Sequence, residues 1–226
     1  MKRNLFIAFF MVISVSLFAQ NDITKFLGIP IDGFKPQMIE KLKAKGFVSS
    51  SIDKDVLEGE FNGKSVELHV VTNNNKVYRI VVSYMHRLDE GDIKIEFNNL
   101  YRQFKNNKKY AAFDDCTIPE EENISYEMAV NNKRYQASFY QKPNFTDTLA
   151  FQTTIQEKLF QKYTKQEIED MSEEEVNKEL FSLAMSYTKE AIFNKSVWFM
   201  IAEMYGKYHI VLYYDNGYNK ANGEDL

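Results

Sequence analysis

Cysteine is almost absent: Cys116 is the only one in 226 residues. No internal disulfide can form, and packing alone must hold the fold together. Its neighbours Asp114 and Asp115 disfavour a thiolate, so Cys116 reads as a structural thiol rather than a nucleophile. Histidine is nearly as scarce. His69, His86 and His209 have no partner at metal-ligand spacing, and neither H-E-x-x-H nor C-x-x-C occurs. There is no G-x-S-x-G, no P-loop and no dinucleotide glycine pattern. Ser186 and Lys189 form an S-x-x-K without its S-D-N or K-T-G companions. No cofactor and no metal are expected. An enzyme would need residues scattered through the chain, brought together only by folding.

What the chain has is a leader. Lys2 and Arg3 precede an apolar run from Leu5 to Val15, which closes on Ser16-Leu17-Phe18-Ala19-Gln20 before charge begins at Asp22. A positive end, a short apolar middle and a small-residue exit describe a secretory signal peptide over residues 1–20, cleaved after Ala19 or Gln20. The run is shorter than the roughly 20 apolar residues of a membrane span, and nothing downstream approaches that length. With no cysteine near the exit, a lipid anchor is not expected. The mature chain carries 26 Lys and Arg against 32 Asp and Glu, a net charge of −6. It therefore has no general attraction to nucleic acid or anionic lipid. The expected product is exported, periplasmic or extracellular, and does not insert in a membrane after leader removal.

The mature region divides into two stretches. In residues 21–88, Pro36 starts a short helix with Met38, Ile39 and Leu42 on one face, which Gly46 ends so that Phe47 folds back. Three alternating strands follow: Leu57 to Phe61, Val66 to Val70 past Asn62-Gly63, and Tyr78 to Tyr84 past the polar run Thr72 to Lys76. Residues 89–226 repeat this order. Ile93, Phe97, Leu100, Tyr101 and Phe104 fall at helical spacing. Tyr126, Met128 and Val130 then alternate into Asn131-Asn132, and Tyr135, Ala137 and Phe139 alternate out, reading as a hairpin. Asn75-Lys76-Val77-Tyr78 and Asn132-Lys133-Arg134-Tyr135 have similar turn chemistry, as an internal duplication would produce. A helical insertion occupies about 142–192. Phe151, Ile155 and Leu159 fit a helix there, while Thr153-Thr154 also allows a strand. Thr164 with Glu167, and Ser172 with Glu175, fit capping boxes. The second box opens a helix whose buried stripe is Val176, Leu180, Leu183, Ala184, Tyr187 and Ala191. A last apolar hairpin turns at Gly206. The fold class is α+β: antiparallel strands with helices packed on one face, from two helix-plus-meander units.

The segments Phe26 to Gly33, Met38 to Phe47 and Gly59 to Gly63, together with the ending Val197-Trp198-Phe199 through Tyr214-Asp215-Asn216 to Leu226, resemble a group of uncharacterised secreted proteins of gut-type Bacteroidetes. The helix-then-meander repeat resembles the beta-lactamase-inhibitor-protein-like fold and that of the small outer-membrane-assembly lipoproteins (SmpA/OmlA). The resemblance implies short helices on one face of an antiparallel sheet and gives no activity.

Candidate functional residues are few. Trp198, Tyr208, Tyr213 and Tyr214 lie in strands that are apolar on both sides, a surplus that either a helix covers or a partner meets. Asp147-Thr148-Leu149 resembles a bacterial O-glycosylation acceptor, with the glycan on Thr148. Asp215, Asn216, Asn219, Glu224 and Asp225 offer oxygens to calcium, but not at EF-hand spacing. The expected function is a non-enzymatic module that binds a protein or glycan partner in the envelope or outside the cell. The alternatives are an enzyme without a visible motif and an envelope structural or assembly factor.

Overall fold

The computed structural model describes residues 22–144 and 148–221; residues 1–20, read above as a signal peptide, and Asp147, Glu224 and Asp225 lie outside them. Among the described residues ten strands and six α-helices follow one another in an α+β order. A two-residue ribbon, β1 (Lys25–Phe26) and β2 (Ile29–Pro30), leads into α1 (Lys35–Lys43). Pro36 sits in the first turn of α1, which buries Met38 and Leu42. Gly46, at φ +101°, lets the Phe47 N–H return to the Leu42 carbonyl, as a left-handed helix terminus requires. The meander β3 (Val48–Ser49), β4 (Val56–Phe61), β5 (Lys64–Asn73) and β6 (Lys76–Tyr84) comes next. Its turns Asn62-Gly63 and Asn74-Asn75 have both central residues at positive φ, the geometry that matches strand twist.

The order then recurs. Helix α2 (Glu90–Asn106) buries the five apolar residues read from its periodicity, and β7 (Tyr110–Ala111), β8 (Gln136–Gln141), β9 (Ser196–Met204) and β10 (Lys207–Asp215) follow. All eight strands β3–β10 form one antiparallel sheet, ordered β3-β4-β5-β6-β10-β9-β8-β7. Two meanders are thus joined through their last strands, with Val82 opposite Leu212. A single apolar core runs beneath both, from Met38 and Leu68 to Phe97, Phe139, Phe199 and Leu212. Helices α1 and α2 lie on that face, α1 against β5 and β6, α2 against β9 and β10.

One local expectation changes, and one open alternative resolves to a helix. Residues 124–130 form a helix, α3 (Ile124–Val130), instead of a strand. The Asn123 side chain accepts a hydrogen bond from the Tyr126 N–H, an N-cap that commits the backbone to a helix. Asn132, at φ +53°, follows the end of α3 while the Lys133 N–H reaches the Glu127 carbonyl, so Asn131-Asn132 closes a helix and makes no hairpin. Residues 148–162 form helix α4 (Thr148–Lys162), where the Thr153 and Thr154 hydroxyls donate to the carbonyls of Leu149 and Ala150.

Helices α4, α5 (Lys165–Asp170) and α6 (Glu173–Phe193) make an arm between β8 and β9. Both capping boxes are formed. Of the stripe expected on α6 only Ala191 is fully buried. The rest is half-buried, because α6 packs mainly against α4 and a two-helix layer covers one side only. Among the described residues no helix is long and apolar enough to cross a membrane.

Candidate functional site on the uncovered sheet face

Successive residues of a strand point to opposite faces, so the register decides which aromatics reach the surface. In β10, Tyr208, Ile210, Leu212 and Tyr214 face the helices. Tyr208 is 6% and Tyr214 4% exposed, so neither reaches the sheet face that carries Trp198, contrary to the sequence expectation. Tyr213 faces away, opposite Trp198 of β9 and Val81 of β6. The two rings stack face to face, with centroids 3.9 Å apart and planes 11° from parallel.

An ion pair supports the stack. Arg79 donates to both carboxylate oxygens of Asp215, Nε to Oδ1 at 2.6 Å and Nη2 to Oδ2 at 2.7 Å, a bidentate geometry that fixes both partners. Trp198 Nε1 donates to the same Oδ2 at 3.2 Å. The guanidinium lies 5.0 Å from the Tyr213 centroid and 5.5 Å from those of Trp198 and Tyr78, within cation–π range. Its bond to Asp215 holds Arg79 above its ordinary pKa, and burial pushes the Tyr213 phenol up. Around this cluster the face carries the half-buried Val81 and Met200 and the buried Val211, and beyond them the exposed Met204 and Met85, whose N–H bonds the Ser65 carbonyl just past β6. At the β9–β10 turn Tyr205 is 96% exposed and held at φ +54°, a conformation that disfavours a bulky residue.

His209 lies on the same face, opposite Ala202. Burial, then the Arg87 guanidinium, lowers its pKa to about 4, with the Ala202 backbone acting the other way. Its Nδ1 and the Arg87 Nη1 are buried without a hydrogen-bond partner among the described residues. The unfolded chain takes up this proton near pH 6.5 and the folded one only near pH 4. Stability therefore declines as pH falls through that window, by about 1–3 kcal/mol. Urea unfolding midpoints at pH 7 and pH 4.5 check this: His209→Leu should flatten the difference, and an unchanged slope would discount the histidine.

Other candidates stay apart. Among the described residues no His, Cys, Asp or Glu cluster could hold a metal. His69 is half-buried between Val56 and Val81, and His86 is exposed. The carboxylates with displaced titration, Asp115, Glu122, Glu167 and Glu175, are all held down by hydrogen-bond donors, whereas a general acid needs the opposite shift. Burial, then Asp114, pushes the Cys116 thiol up. Ser186 and Lys189 are exposed on α6. Of the calcium candidates, Asp215 is committed to Arg79, Asn216 to Ile31 and Tyr218, and Asn219 to Asp32 and Val77. Thr148 is exposed at the start of α4.

The sequence reading missed Arg79 and the methionines and offered Asp215 to calcium instead of to Arg79. Strand parity carried the signal: Trp198, Met200 and Met204 share one phase of β9, and Tyr213 and Tyr214 cannot both face outward. No protein-family model matches this chain, and no curated protein or solved structure matches it either.

Proposed function

We propose that the protein is an exported, non-enzymatic binding module that docks a protein partner on the uncovered sheet face. One observation carries the reading. Helices α1 and α2 cover only one side of the central strands, while the other presents Trp198, Tyr213, Val81, Met85, Met200 and Met204. Trp, Tyr and Arg are the residues that dominate interface energies, and methionine adapts its shape to a partner. The leader supplies the export half of the proposal. Intact mass of protein from its native host should begin at Gln20 or Asn21, and an unprocessed Met1 would defeat export.

Met85 and Met204 are exposed, so Met85→Asp with Met204→Asp leaves the core intact. Mature protein used as bait on native envelope extracts should recover a partner that this double variant recovers at least about tenfold less, equivalent to 1.4 kcal/mol or more of binding. Trp198 is the only tryptophan, so its fluorescence should shift to the blue when the partner binds. Equal recovery by both proteins overturns this surface as the site.

A further inference from the structure

The opposite side of the molecule holds a second site. A cleft of about 360 Å³ opens between α2, the β4–β5 turn, the β1–β2 ribbon and β7. Phe61, Phe104, Tyr110 and Tyr214 give it aromatic walls, with Phe104 and Tyr110 edge to face at 4.8 Å and Phe61 and Tyr214 at 6.4 Å. Burial pushes the Tyr110 phenol up and the Tyr214 phenol well up. Beside it lies a polar hollow of about 420 Å³, walled by Asn62, Asn99, Gln103, Asn106 and the Lys64–Glu96 pair. Both volumes are of small-molecule size. The two meet at Asn62 and Gln103, where Asn62 Nδ2 donates to Gln103 Oε1 at 2.8 Å. The buried Tyr84 hydroxyl has no hydrogen-bond partner among the described residues.

We propose that this double cleft binds a neutral disaccharide or a longer neutral glycan, one ring against the aromatic walls and the next among the amides. The residue types select that chemistry. A sugar ring has an apolar C–H face for an aromatic wall and an edge of hydroxyls, each both donor and acceptor. Side-chain amides and phenols match that edge, since each also offers donor and acceptor atoms. In the polar half Lys64 Nζ pairs with Glu96 at 2.9 Å, and Arg102 Nη2 donates to the neutral amide oxygen Asn99 Oδ1 at 2.7 Å. Four amides line this half beside one paired ion couple and Arg102, and the hydroxyls of a neutral polyol match the amides. Glycoside cleavage uses two carboxyl groups flanking the bond, and among the described residues Glu96 is the only carboxylate lining either half. The site binds without hydrolysing.

This site is independent of the Trp198 face, because Tyr214 and Tyr213 point to opposite sides of the sheet. The test uses the mature chain and neutral disaccharides of glucose, galactose, mannose and N-acetylglucosamine, followed by saturation-transfer and ¹⁵N-shift NMR. At least one sugar should bind with a Kd below about 10 mM, shift residues 61–64 and 99–107, and leave the Trp198 indole N–H unmoved. Asn99 and Gln103 are exposed, so Asn99→Ala with Gln103→Ala should fold and weaken binding at least about tenfold. Failure of the whole panel to bind, binding undiminished in that variant, shifts centred on Trp198, or cleavage of the sugar would each overturn the proposal.

Discussion

Replacing Arg79 by methionine should lower the melting temperature by about 6–20 °C, from a loss of about 3–5 kcal/mol at about 2–4 °C per kcal/mol for a chain of this size. Side-chain exposures are 20% for Arg79 and 7% for Asp215. Removing the cation leaves a buried carboxylate whose remaining hydrogen bond, among the described residues, comes from Trp198 Nε1. An uncompensated buried charge is costly because water no longer solvates it. The double variant Arg79→Met with Asp215→Leu removes both charges and should be milder than Arg79→Met alone, since a buried pair exchanged for apolar groups is often neutral. Thermal denaturation of both singles and the double closes a mutant cycle. Additive losses would show that the pair is not coupled.

Asp22→Asn should cost a comparable amount, about 3 kcal/mol or more. The Lys195 side chain is only 4% exposed, and Asp22 Oδ2 accepts from its Nζ at 2.7 Å and from the Asn144 N–H at 2.6 Å. One carboxylate at the head of the described chain therefore ties together both roots of the α4–α6 arm. The remaining contact of Lys195 Nζ, to the Lys142 carbonyl at 3.3 Å, does not neutralise the ammonium. Gly217 completes the joint: its N–H bonds the Asn194 carbonyl, and a Cβ there would lie 2.8 Å from the Asn194 Cα. Hydrogen exchange should quicken at the C-terminal end of α6 in Asp22→Asn before the sheet is affected. Lys195→Met should be tolerated better, because the Asp22 left behind is 26% exposed and can be solvated. If Lys195→Met proves the more damaging, the charge argument is wrong.

Much of the architecture could be read along the chain because it rests on local signals. The Asn62-Gly63 turn, the Gly46 terminus of α1, the five-residue stripe of α2 and the two capping boxes each depend on residues a few positions apart. Where two local signals competed, the reading failed. Tyr126, Met128 and Val130 alternate like a strand, and only the Asn123 cap shows the helix. The candidate site was half legible. Trp198 and Tyr213 were named among the surface aromatics, but Tyr208 and Tyr214 were grouped with them although β10 turns those two inward.

The sequence by itself determined the α+β class, the lack of an internal disulfide, and most turns and helices, because each follows from chain-local chemistry. Only the tertiary structure decided that both meanders share one sheet through β6 and β10, which side of it stays uncovered, and which distant residues meet. Arg79 with Asp215, Asp22 with Lys195, and Asn62 with Gln103 are 136, 173 and 41 positions apart. No periodicity encodes such pairs. They exist because burying one continuous apolar face brings those strands together and leaves their polar groups no nearer partners.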